Sequence, residues 1–314
     1  MLLIFGCDVT GGENPIRGKT VTVEFSMIEV PPGSFLLNKD GTHIDDPRVE
    51  RITMTISQAF LMSETEVTQE LWKDVMLGSD NCLNPSYNRG SNNTRPVENV
   101  TWFDALEFCN ILSKKTGREP VYTFKGEITR VKEGFQNGSI ISVASGVTED
   151  ITKNGYRLPR EMEWMWAAMG ADVENKGDVN TSGYQKAFAG DNDNNFINDF
   201  AWYGLDNSGT TAQGVTHGVG LKLPNELGLY DMTGNVWELC WDKRADRNSF
   251  YDYPNELDYS GPETGDYRVI CGNSYSGRDI YQCAIAARSV SLCTDRETDV
   301  GFRFVRAADL PMNK

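Results

Sequence analysis

Pro224-Asn-Glu-Leu-Gly-Leu-Tyr-Asp-Met-Thr-Gly-Asn-Val-Trp-Glu238 is the stretch whose reading decides the fold. It lies in the part of the chain, from about residue 171 onward, where Gly, Asn, Asp and Ser dominate and no regular period persists. Long aperiodic segments inside a compact domain imply a loop-rich fold held by aromatic packing. Trp202, Tyr203, Trp237 and Trp241 fit that role.

Working outward, the N-terminal half is more regular. Residues 21–37 open with Val21, Val23 and Phe25 in alternation and run into Val30-Pro-Pro-Gly-Ser-Phe35, a strand and a turn. Ile52, Met54 and Ile56 alternate with Thr53, Thr55 and Ser57, which predicts a strand with one buried face. Thr68 can cap a helix with Leu71, Trp72, Val75 and Met76 on its apolar face. A second helix is predicted over Thr101–Thr116: Thr101 precedes Asp104 by three, a capping-box-like start, and Gly117 ends it. Short alternating strands over 121–155 suggest a hairpin, and Pro159–Met169 a third helix stopped by Gly170. No repeat, linker or composition shift divides the chain, so a single domain over 21–314 is expected.

Composition narrows the function. With 30 Lys+Arg against 45 Asp+Glu, the net charge of −15 argues against nucleic acid, whose binding needs clustered cations. Two histidines, His43 and His217, nearly exclude a His-rich metal site. Seven cysteines is an odd count, and none forms a C-x-x-C pair. Met1-Leu-Leu-Ile-Phe-Gly-Cys7 looks like the tail of a bacterial lipoprotein signal, which makes Cys7 the expected lipid attachment site. Residues 1–20 then read as signal remnant and Gly-rich tether, and the protein as anchored in the cell envelope by lipid alone.

Several stretches, in order over residues 24–305, resemble the formylglycine-generating enzyme (sulfatase-modifying factor) family: Pro32-Gly-Ser-Phe35, Glu64-Thr-Glu-Val-Thr68, Arg95-Pro-Val-Glu-Asn-Val-Thr-Trp-Phe-Asp-Ala105, Tyr156-Arg-Leu-Pro-Arg-Glu-Met-Glu-Trp164, the opening stretch, and Ala287-Arg-Ser289 with Gly301-Phe-Arg303. The resemblance implies an α+β, C-type-lectin-like single domain with long loops. It also implies three functional classes, which residues must separate.

The oxidase class binds copper with two close cysteines, thiolates being the soft ligands that Cu(I) selects. Here the stretch between Gly272-Asn-Ser-Tyr275 and Ala286-Ala-Arg-Ser289 is shorter than the oxidase's and holds only Cys283; the second copper cysteine falls on Ile280. The iron-dependent sulfoxide synthases need several histidines, and His217 reads as a packed loop residue. The remaining class comprises variable proteins of diversity-generating retroelements, which display a randomised C-terminal face. The nearest resemblance in kind is to the treponemal variable surface lipoproteins of this class. Over Ile270–Val300, unpatterned residues alternate with the landmarks Gly272, Ser274, Ala287-Arg-Ser289 and Gly301-Phe-Arg303.

The expected reading is therefore a non-catalytic, monomeric surface lipoprotein that binds a protein or host-surface ligand and requires no cofactor. The enzyme alternative is a cysteine oxidase using a rearranged cysteine pair. The expected ligand-binding positions in the variable region 270–300 are Cys271, Asn273, Tyr275, Ser276, Asp279, Ile280, Tyr281, Cys283, Ile285, Val290, Leu292, Cys293 and Thr294, with side chains pointing outward. Arg288, Arg303 and the Trp237–Trp241 region are assigned to the frame beneath them. The resemblance also implies a structural calcium on Asp231, Gly234, Val236 and Glu238, which would offer hard oxygen ligands.

Overall fold

The computed structural model describes residues 2–7, 21–40, 48–89, 93–132, 137–171, 179–192, 195–204, 214–245, 253–254, 257–277 and 280–308. The three predicted helices form where their caps place them. Helix α1 spans Gln69–Met76, and Thr68 Oγ1 accepts the Leu71 N–H at 3.0 Å. Helix α2 spans Trp102–Lys115 and carries a complete capping box between Thr101 and Asp104. Helix α3 is Glu161–Ala168, shorter than predicted at both ends, and Gly170 follows it at φ +85°. A short helix α4, Ile197–Phe200, was not anticipated.

Small sheets join these helices. One has the strand order Leu2–Cys7, Val21–Val30, Phe60–Ser63 and Val305–Ala307, antiparallel throughout, so the last strand closes against the first third of the chain. Cys7, the expected lipid site, is opposite Val21 in that ladder, and residues 8–20, the expected tether, lie outside the described residues. Gly33–Asn38 pairs with Arg51–Ile56, burying Ile52, Met54 and Ile56 on one face as their alternation requires. The 121–155 region forms two ladders, Tyr122–Phe124 with Val147–Glu149 and Ile128–Arg130 with Ile140–Val143.

Two apolar clusters fill the interior. In the first, Trp72 stacks on Phe108 and the Phe302 ring meets Phe108 edge-on, with centroids 5.7 and 5.2 Å apart. In the second, Phe35 stacks on Trp166 of α3. Trp241 bridges ladder and helix by stacking on Tyr122 and tilting against Trp102. Offset and edge-on pairs of this kind add about 0.5–1.5 kcal/mol each beyond simple burial. They hold a fold in which regular elements are short.

Candidate functional site

The C-terminal face rests on a sheet of strand order Arg288–Leu292, Tyr267–Cys271, Trp237–Arg244 and Val300–Gly301. Its register sets Gly301 beside Glu238, Glu238 opposite Cys271, and Cys271 opposite Arg288. Residues in one such row project to the same side. That side faces α3. Glu238 accepts both Nε and Nη2 of Arg303 at 2.7 Å and the Trp164 indole N–H at 2.7 Å. Arg288 pairs with Glu161 at 2.8 Å, both side chains being almost wholly enclosed, and donates to the Tyr253 hydroxyl at 2.7 Å. The frame role assigned to Arg288 and Arg303 matches these two buried, ion-paired guanidinium groups.

This row explains several corrections. Cys271 lies between Glu238 and Arg288 and is buried, not outward as expected. Val290, two residues past Arg288 on the same strand face, is buried for the same reason. Asn273 sits at φ +65°, a left-handed conformation that Asn tolerates, and its Nδ2 donates to the buried Cys283 Sγ at 3.2 Å. Tyr275 is buried: its hydroxyl accepts from Asn88 Nδ2 at 3.1 Å and donates to Thr298 O at 3.3 Å. Ile285 is buried in the second apolar cluster. These six side chains point inward.

The crest of the face is the 3-10 turn Ile280–Cys283, seated through Cys283 on Ala201, Tyr203 and Ile197. There Ile280 is 51 % and Tyr281 69 % exposed, and Thr294 is also exposed. Ser276, Leu292 and Cys293 are half-buried, Ser276 Oγ donating to Asp299. Asp279 lies outside the described residues. The sequence reading missed Gln282, Ser289 and Thr298, which are exposed on the same segment, and Tyr87, 73 % exposed on a loop that the Asn88–Tyr275 contact brings to this edge. No sequence signal links Tyr87 to a segment so distant.

Three thiols of this region, Cys240, Cys271 and Cys293, are poorly placed for nucleophilic chemistry. No disulfide joins Cys82, Cys109, Cys240, Cys271, Cys283 and Cys293. Burial raises the Cys271 thiol pKa and pushes that of Cys240 well up, and burial also raises that of Cys293, which disfavours the reactive thiolate. Ile280, the position on which the resemblance places the second copper cysteine, carries no sulfur.

The opening stretch is a set of tight turns. Asp231 and Asn235 adopt φ +54° and +59°, and Gly234 approaches Trp202 so closely that a Cβ would lie 2.2 Å from the Trp202 carbonyl oxygen. Trp202 in turn stacks on His217 at 3.9 Å, so His217 is the packed loop residue expected. Of the implied calcium ligands, Glu238 is already engaged, while Asp231 Oδ1 is buried with no hydrogen-bond partner. Both Glu238 oxygens are taken by Arg303 and Trp164, and one Asp231 oxygen accepts the Gly220 N–H at 2.7 Å. Arg303 also donates to the carbonyls of Ser63 and Tyr230. The Arg303 guanidinium supplies one positive charge among the buried carboxyls of Glu66, Asp231 and Glu238. Among the described residues, no group of His, Cys, Asp and Glu is arranged to hold a metal.

This fold, with its inward arginines and a crest of short turns, is that of the sulfatase-modifying factor enzyme 1-like domain. That family's model matches residues 15–308, and the chain belongs to the family. Among solved structures it is similar to Treponema denticola variable protein 1, with a TM-score of 0.66 and 33% identity, covering 94% of this chain and 100% of that one. It is also 35% identical over 225 residues to the chaperone protein LppX of Paenibacillus barcinonensis, 70% of this chain and 72% of that protein. The formylglycine-generating enzyme of Streptomyces coelicolor is 34% identical over 164 residues, 50% of this chain and 48% of the enzyme. The expected C-type-lectin-like, loop-rich α+β domain is therefore the one found. No helix among the described residues is long and apolar enough to cross a membrane.

Proposed function

We propose that the protein is a non-catalytic, ligand-binding lipoprotein of the bacterial envelope, anchored through Cys7 and displaying a diversified C-terminal face. The single observation that carries this reading is the crest. Ile280, where the resemblance places a copper cysteine, and Tyr281 beside it stand exposed on a turn whose base is buried and hydrogen-bonded. Exposed aromatic and aliphatic groups on a firm backbone suit binding: a tyrosine offers large contact area at low entropic cost. The likeness to a variable protein and to LppX supports a binding role, and the buried thiols count against oxidation of a substrate cysteine.

The ligand is a protein or host-surface group, and the net charge of −15 favours a basic or neutral one. A nearby DNA copy of the 270–303 coding region that differs only at adenines, beside a reverse transcriptase, is the expected finding. If no such copy exists, diversification fails and a binder of fixed specificity remains. Copper-dependent oxygen uptake with a cysteine-containing peptide would overturn the non-catalytic reading.

A further inference from the structure

Glu98 is a fully enclosed carboxylate in the run before α2. Its Oε2 accepts the Tyr87 N–H at 3.0 Å and its Oε1 accepts the Asn88 N–H at 2.6 Å. Its own N–H donates to Ser86 Oγ, and the Asn99 amide donates to Pro85 O at 2.8 Å. The loop 84–89 is thus tied down by consecutive contacts from the Glu98–Asn99 pair. From the loop, Asn88 Nδ2 reaches both the Tyr275 hydroxyl and the Thr298 carbonyl at 3.1 Å. Tyr87 is left projecting beside the display face.

We infer that Glu98 is a pH-responsive latch that holds loop 84–89, with Tyr87 at its tip, against the edge of the face at Tyr275 and Thr298. Its importance for binding rests on the display reading above; the latch itself does not. Two charged groups face the carboxyl: Asp299, from the segment preceding Val300–Gly301, and Arg89 on the loop. Burial pushes the Glu98 carboxyl up to about 7; the Tyr87 and Asn88 amides oppose the rise, Asp299 adds to it and Arg89 opposes it. A released loop would return the carboxyl to water and to its ordinary value of 4.5. The latched form therefore binds the proton more tightly than the released form. The latch is strongest below the ordinary value and weakens as pH rises through about 7.

Amide hydrogen exchange on the full chain tests this without any ligand. After correction for intrinsic exchange rates, the Tyr87 and Asn88 amides should be protected at least about tenfold more near pH 5 than near pH 7.5. Core amides such as that of Val305 serve as the control for global opening. Glu98→Gln, which keeps an acceptor and has no charge to lose, should abolish the difference while leaving the core amides protected. Asp299→Asn should move the transition to lower pH. Equal protection at both pH values, or an unchanged pH dependence in Glu98→Gln, would overturn the latch. If the latch behaves as described and no diversified template exists, the display reading fails and the latch stands.

Discussion

Arg288 and Tyr281 are near neighbours in sequence and opposites in structure. Arg288 is enclosed between Glu161, Tyr253 and Tyr184; Tyr281 projects from a four-residue turn. The segment 270–300 is therefore two things: a buried row that completes the sheet, and a crest that the sheet carries. Changes in the first should cost folding, and changes in the second should cost only recognition.

The sharpest way to break this contrast is Arg303→Met. It strands Glu238 as a buried charge, and losing one partner of such a pair costs about 3–5 kcal/mol. Denaturant unfolding should show a loss of that size; a loss under 1 kcal/mol would mean the frame does not depend on the pair. Next is Ile285→Ala, which belongs to the buried part although it lies within the segment 270–300. A drop of about 2–4 kcal/mol is expected from the lost contacts and the cavity left behind.

A smaller effect comes from Asp231. Burial pushes its carboxyl up to about 6, so the folded state holds that proton more tightly than the unfolded state does. Its contribution to stability is full below the ordinary value of 3.8 and is lost as pH rises through about 6. Relative to Asp231→Asn, the native chain should thus lose about 2 kcal/mol between pH 4 and pH 7. Parallel stability curves for the two proteins would contradict this. Last, the double change Ile280→Ser with Tyr281→Ala should leave stability within about 0.5 kcal/mol, as surface substitutions usually do. A large loss there would show the crest to be part of the frame.

The sequence was most legible where local chemistry decides the outcome. Thr68 and Thr101 announce their helices because an N-cap hydroxyl answers an orphan N–H nearby in the chain. The two arginines of the frame were legible too, through the family landmarks around them. Cys271 and Val290 were misread because their burial follows from a strand register, which depends on partners far along the chain. The strand Arg288–Leu292 is also too short to announce its alternation. Asn273 looked like a surface variant of a stereotyped turn, but its positive φ and its bond to Cys283 make it part of the support. The calcium expectation rested on Glu238, whose engagement with Arg303 only the folded chain reveals.

The closing strand carries a consequence for biosynthesis. Val305–Ala307 seals the edge of Phe60–Ser63, and Arg303 draws together Ser63, Tyr230 and Glu238. A polypeptide that terminates anywhere within 270–300 has neither, so it leaves a buried anion uncompensated and a sheet edge open. Such a fragment should fold poorly and be open to proteolysis. A stop codon or frameshift within 270–300 therefore costs the whole frame rather than one loop.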